Sequence, residues 1–125
     1  MGIDGLLTVA RRSLIRLHPH EAQAAVAAGA VLVDTRPEYQ RRSSGGIPGA
    51  LIVERNHLEW RLDPTSSGAI PGVADDNTHW IVICDEGYSS SLAAASLRQI
   101  GLTRATDLIG GFQAWLKEGL PIEPP

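Results

Sequence analysis

The stretch HWIVICDEGYSSSLAAASL, residues 79–97, decides the fold: an apolar run, the chain's one cysteine, a short polar loop and helix-forming sequence follow without a break. Residues 80–83 are too few and too rich in branched apolar side chains to prefer a helix, and they predict a strand buried on both faces. Cys84 then stands where that strand ends. Beyond the loop, Leu92, Ala93, Ser96, Leu97 and Ile100 recur at helical spacing, and Ser89, Ser90 and Ser91 offer hydroxyls suited to capping the first turn. The loop thus feeds a helix N-terminus, where unpaired amides and the positive end of aligned peptide dipoles favour a thiolate or a bound oxyanion. A cysteine so placed can be a nucleophile; the blander alternative is a small buried hydrophobe at a strand end.

Working upstream, AVLVD at 30–34 reads as a second buried strand, followed by Thr35, Arg36 and a Pro37 suited to opening a short helix through Arg42. Ser43, Ser44, Gly45 and Gly46 make a flexible connection into a third strand at 50–53. Residues 57–62 suggest a helical turn carrying Glu59 and Arg61, and the prolines, serines and glycines of 63–77 a long irregular connection. Downstream, Gly101 ends the central helix, residues 105–109 suggest one more strand, and Gly110 and Gly111 turn into a helix FQAWLKE that stops at Gly119.

At the other end, Pro19 opens an alanine-rich helix that Gly29 terminates. Before it, Ile3, Leu6, Leu7, Ala10, Leu14 and Leu17 fall on one side of a helix, with Arg11, Arg12 and Arg16 off that stripe. Such a segment can lie on a membrane or a partner, but packing on its own domain is the simpler expectation. The chain therefore divides into a helical extension, 1–17, and a domain, 18–125. Strands alternating with helices predict an α/β fold with a central parallel sheet of about five strands and helices on both faces. Sites in such sheets lie outside the carboxyl ends of the strands, where Cys84, Asp34 and Arg36 all fall.

With 125 residues, 43% of them hydrophobic and 20% charged, the chain is the size of one domain with a real core. A net charge of −3 and no long basic run argue against nucleic acid as a partner. A lone cysteine excludes an internal disulfide, and Asp4, Arg11 and Arg12 interrupt any signal-peptide core, so a cytoplasmic location is expected. No apolar stretch approaches the roughly 20 residues of a spanning helix. His18, His20, His57 and His79 lack metal-ligand spacing, and neither a metal nor an organic cofactor is expected.

With these elements placed, residues 18–121 resemble the rhodanese-like single-domain sulfurtransferases. The resemblance rests on the order and spacing of DTR at 34–36, GIPGA at 46–50, CDEGYSS from Cys84 and IGGFQAW at 109–115. It implies a three-layer fold, with Cys84 carrying sulfur inside a loop, 84–89, whose amides converge on the cysteine. Relatives of the dual-specificity cell-cycle phosphatase type have a loop one residue longer. Unrelated cysteine phosphatases place arginine six positions after the cysteine, where this chain has Ser90. Lacking that bidentate guanidinium, phosphate ester hydrolysis is the weaker reading. Two departures from the family stand out: Asp85 and Glu86 occupy loop positions that are commonly basic in good thiosulfate users, and Gly46 stands where histidine is common.

The function expected is a sulfurtransferase that forms a Cys84 persulfide, takes sulfur from a persulfide, polysulfide or thiosulfate, and passes it to a thiol or protein acceptor. The substrate-binding candidates are Asp85, Glu86, Gly87, Tyr88, Ser89, Ser90 and Arg55. Each has a plainer role: Asp85 and Glu86 as solvated loop residues, Gly87 as a turn, Tyr88 as cover for apolar surface, Ser89 and Ser90 as helix caps, and Arg55 as part of a solvated cluster with Glu54, Glu59 and Arg61. Asp34 and Arg36 are expected to form a structural ion pair or turn hydrogen bonds, the alternative being a direct part in catalysis. The alternatives are a protein-binding module that retains the fold, or a phosphatase or arsenate reductase.

Overall fold

Four parallel strands form the middle layer of the computed structural model, which describes residues 1–125. The chain runs α1 (Gly2–Arg11), α2 (Pro19–Ala27), β1 (Val31–Asp34), α3 (Glu38–Ser44), β2 (Leu51–Ile52), a 3-10 turn at Arg55–His57, α4 (Leu58–Leu62), β3 (Trp80–Ile83), α5 (Ser89–Gln99), β4 (Thr106–Asp107) and α6 (Gly111–Lys117). The sheet order is β2-β1-β3-β4, with Val33 beside Val82 and Leu51, and Val82 beside Asp107. Strand β3 lies at the centre, and all four of its residues are fully buried.

The two-residue period of the strands sorts the core into two clusters. Trp80 and Val82 of β3 pack with Val33, Leu58, Leu62, Ala93 and Leu97 under α4 and α5. Ile81 and Ile83 face the other way, onto Ala22 of α2 and Phe112 and Trp115 of α6. Each such aliphatic side chain, fully buried, stabilises the fold by about 1.5–3 kcal/mol. No helix is long and apolar enough to cross a membrane.

The sheet has four strands where about five were expected, and β2 and β4 are two residues long, shorter than the apolar runs around them suggested. Beyond β4 the sheet adds only one bridge: the Leu17 amide donates to Asp107 O (3.1 Å) and Ile109 N–H to Leu17 O (2.8 Å). Pairing stops there because His18 is already the N-cap of α2, its backbone amide held by Glu21, and Pro19 has no N–H to offer. The N-terminal helix likewise ends at Arg11 instead of running to Leu17, since the chain must extend to reach β4. Helix α1 lies against α5 with Leu7 buried, whereas Ile3 and Leu6 of the same expected stripe are exposed.

Candidate active site

Strand β3 delivers Cys84 to the carboxyl edge of the sheet, and the chain reverses through residues 85–88 into α5. The amide of Gly87 points at Cys84 Sγ at 3.1 Å and that of Ser90 at 3.3 Å. Cys84 is 6% exposed, yet it lies at the floor of an open depression of about 620 Å³. Two N–H groups converging on a sulfur that borders an open hollow fit a nucleophile better than a buried hydrophobe.

The loop holds this shape because its carbonyls are gripped from outside. Phe112 N–H donates to Cys84 O at 2.9 Å and Gln113 N–H to Asp85 O at 3.0 Å, both from the first turn of α6. The Gly87 carbonyl accepts from Arg11 Nη2 (2.9 Å) and Arg16 Nη2 (3.1 Å). A trans peptide sets its C=O and N–H on opposite sides, so the tied carbonyls of Cys84, Asp85 and Gly87 fix the peptides on either side of the one that carries the Gly87 amide. Gly87 has φ +87°, and a Cβ there would lie 2.7 Å from Gly110 N. The glycine pair of IGGFQAW thus lets the start of α6 touch the loop backbone to backbone.

Behind the loop lies a buried polar network. Asp107 Oδ2 accepts from the hydroxyls of Ser90 and Ser91, each at 2.8 Å, and Arg16 pairs with the same carboxylate through Nε (2.8 Å) and Nη2 (3.2 Å). Arg11 Nε donates to Ser91 Oγ at 2.9 Å. The serine hydroxyls therefore do not cap α5, whose N-cap makes no side-chain bond, and Ser90 reaches the sulfur only through its backbone. The reason is competition: a buried carboxylate is a stronger acceptor and needs every donor within reach. Ser89 is exposed and lines the depression.

On the β1 side, Asp34 and Arg36 form a buried, bidentate ion pair (3.0 and 2.8 Å). Arg36 also donates to Gly45 O and lies 4.0 Å over the Phe112 ring. Thr35 Oγ1 donates to Ile83 O, tying the end of β1 to that of β3 beside the cysteine.

The depression brings together most of the remaining candidates. Asp85 and Glu86 line it, with Asp85 Oδ1 accepting from Gln113 Nε2 at 3.0 Å. Tyr88, 56% exposed, stands on its rim with Tyr39 of α3. Arg55 lines the same hollow but is engaged by Glu59 at 2.8 and 2.9 Å. Burial pushes the Glu59 carboxyl up, but the Ser96 hydroxyl, its own backbone amide and the Arg55 guanidinium together hold it below its ordinary 4.5. Arg61 turns away to Gly68 O and lies outside. Arg11, Arg16 and Asp107 were not singled out as site residues from the sequence. The signals available were an acid interrupting an apolar strand and arginines off an apolar stripe.

A family model described as "Rhodanese-like domain" matches residues 18–118. The thiosulfate sulfurtransferase GlpE of Pseudomonas savastanoi pv. phaseolicola is 35% identical over 100 residues, covering 80% of this chain and 85% of its own. A sulfurtransferase of Allochromatium vinosum is 36% identical over 95 residues, 76% of this chain and 79% of the relative. Among solved structures, a protein of unknown function from Rhodopseudomonas palustris, described as a possible tyrosine phosphatase, superposes with a TM-score of 0.88 at 34% identity, covering 98% of this chain and 95% of that one. The human single-domain sulfurtransferase TSTD1 follows the same path at TM-score 0.67 and 25% identity, over 82% of this chain and 96% of that one.

Proposed function

This chain belongs to the rhodanese-like domain family and is a rhodanese-type sulfurtransferase, and from that premise we propose that it moves sulfane sulfur through a persulfide on Cys84. The observation that carries this reading is the pair of amides, from Gly87 and Ser90, aimed at Cys84 Sγ on the floor of an open hollow. In the first half-reaction the Cys84 thiolate attacks the outer sulfur of a donor. The donor's S–S bond breaks and its electron pair leaves with the released thiolate. In the second, an acceptor thiolate attacks the outer sulfur of the Cys84 persulfide and the Cys84 thiolate is returned. Electrons balance within each step, so neither a second cysteine nor a redox partner is needed.

Loop charge supports a persulfide, polysulfide or protein donor over thiosulfate. Asp85 and Glu86 both line the hollow, and Arg55, the basic residue nearest in role, is shared with Glu59. A dianion entering there meets two carboxylates. A persulfide group carries one charge at most and releases a singly charged thiolate. A thiol that must stay reduced suits a reducing compartment and is in keeping with a cytoplasmic location.

Intact mass spectrometry after exposure to sulfane-sulfur donors tests the reading. The wild type is expected to gain one sulfur atom and Cys84→Ala none; no gain on the wild type, or an equal gain on the variant, would refute it. The same assay separates an enzyme from a binding module. A phosphatase reading is raised by the description of the R. palustris relative. Against it, position 90 holds a serine whose hydroxyl is bonded to Asp107, leaving no guanidinium to grip a phosphoryl group. Turnover of a phenyl phosphate would favour that reading instead.

A further inference from the structure

We propose that Arg11 and Arg16 of the N-terminal segment are positioning residues of the sulfur loop, acting through the carbonyl of Gly87. The inference rests on Cys84 being the reacting group, and it concerns residues outside the stretch matched by the family model, 18–118. Both guanidinium groups donate to this one carbonyl, and both are themselves anchored: Arg11 by Ser91 Oγ, Arg16 by the fully buried Asp107.

The peptide they hold begins at a glycine. Gly87 lacks a Cβ and sits at φ +87°, so no side chain of its own fixes the plane between residues 87 and 88. Were it to flip, the Gly87 carbonyl would leave the arginines, the Tyr88 amide would turn toward them, and the residue whose own amide reaches Cys84 Sγ would lose its outer anchor. Two cations favour the orientation in which the oxygen faces them and the amide faces away. They also place positive charge behind a loop whose outer rim carries Asp85 and Glu86. Arg16 is only 17% exposed along its side chain, so water screens it weakly. The N-terminal helix is in this sense part of the active site: its packing on α5 brings Arg11 to the back of the loop.

The test uses the full chain with Arg11→Gln, Arg16→Gln and the double variant, and Arg12→Gln as control, since Arg12 is exposed and touches no part of the loop. Three quantities are read: the rate of Cys84 alkylation by iodoacetamide at fixed pH, kcat/KM for persulfide formation, and the thermal midpoint. Arg11→Gln is expected to slow alkylation and sulfur loading roughly tenfold, the rate equivalent of one lost charge-assisted hydrogen bond. Arg11→Lys, which keeps a cation for the carbonyl, restores most of the alkylation rate, and Arg12→Gln leaves it unchanged. Should Arg16→Gln fold poorly because Asp107 has lost its partner, the Arg11 series alone decides. Alkylation within about twofold of wild type in folded Arg11→Gln, or no recovery with lysine, overturns the proposal. Slowed alkylation in a protein whose wild type takes up no sulfur would instead sink the sulfur-transfer reading and leave the positioning role standing.

Discussion

The hydroxyl of Ser90 donates to Asp107 Oδ2 at 2.8 Å while the amide of the same residue faces Cys84 Sγ at 3.3 Å. One residue therefore links the buried carboxylate to the sulfur cradle. Asp107 is inaccessible to water and accepts from Ser90, Ser91 and Arg16, so removing it takes the ion-pair partner from a guanidinium and the acceptor from two buried hydroxyls. Asp107→Ala is expected to lower stability by about 3 kcal/mol, read from urea unfolding at neutral pH. Asp107→Asn, which keeps one acceptor oxygen, should lose less. A change below about 1 kcal/mol for alanine would mean that water satisfies these donors.

Gly111 is the point where α6 meets the loop. At φ +62° a side chain is strained in any case, and a Cβ would fall 2.5 Å from Cys84 O and 2.6 Å from Asp85 O. Both obstacles are backbone and cannot swing aside. Gly111→Ala must therefore push the loop and the helix apart, costing about 2 kcal/mol or more and breaking the Phe112 and Gln113 amide bonds to the loop. The thermal midpoint and the Cys84 alkylation rate should fall together. Retention of both would show that the loop can move as a unit without disturbing the sulfur.

Much of this site could be read from residue order. Strand β3, its cysteine, the loop and α5 follow from an apolar run, a polar break and helical spacing, which depend on near neighbours in sequence. The buried Asp34–Arg36 pair was legible for the same reason, its members being two residues apart. Arg11, Arg16 and Asp107 were not, because their meaning comes from contacts across more than 70 positions. The serines were misread on the same ground: a hydroxyl at a helix start usually caps it, unless the fold brings a buried carboxylate beneath it. The one further sheet contact, a bridge at Leu17, falls in a segment read as helix, because its partner lies about 90 positions away.

Loop charge should set donor choice. Asp85 and Glu86 line the hollow in front of Cys84, and a carboxylate about 4 Å from an incoming charge costs about 1 kcal/mol in water and about 4 at an effective dielectric of 20. Replacing both by cations, Asp85→Arg with Glu86→Lys, is expected to raise kcat/KM for thiosulfate at least about fivefold, the lower of those two figures. The gain with a glutathione persulfide should be smaller, since that donor brings less charge to the sulfur. Raised ionic strength should shrink the difference between wild type and variant. An unchanged thiosulfate rate would show that these side chains are solvated and do not reach the substrate.

Acid should loosen the wall of the hollow through Glu59. This carboxylate binds Arg55 on one side and accepts the Ser96 hydroxyl at 2.6 Å on the other, joining α4 to α5. Burial alone would raise its pKa, but the Ser96, backbone and Arg55 bonds outweigh it and hold the folded value below the ordinary 4.5. Between those two values the unfolded chain binds the proton and the folded chain does not, so the stabilisation is present above 4.5 and is lost as pH falls through the folded value. Glu59→Gln removes the titrating group. The wild type is therefore expected to be the more stable at pH 7, with the gap in urea midpoint closing as the pH falls below 4.5. A gap that stays constant from neutral to acid pH would mean that Glu59 contributes packing alone, and that Arg55 is held in the hollow by something other than its charge.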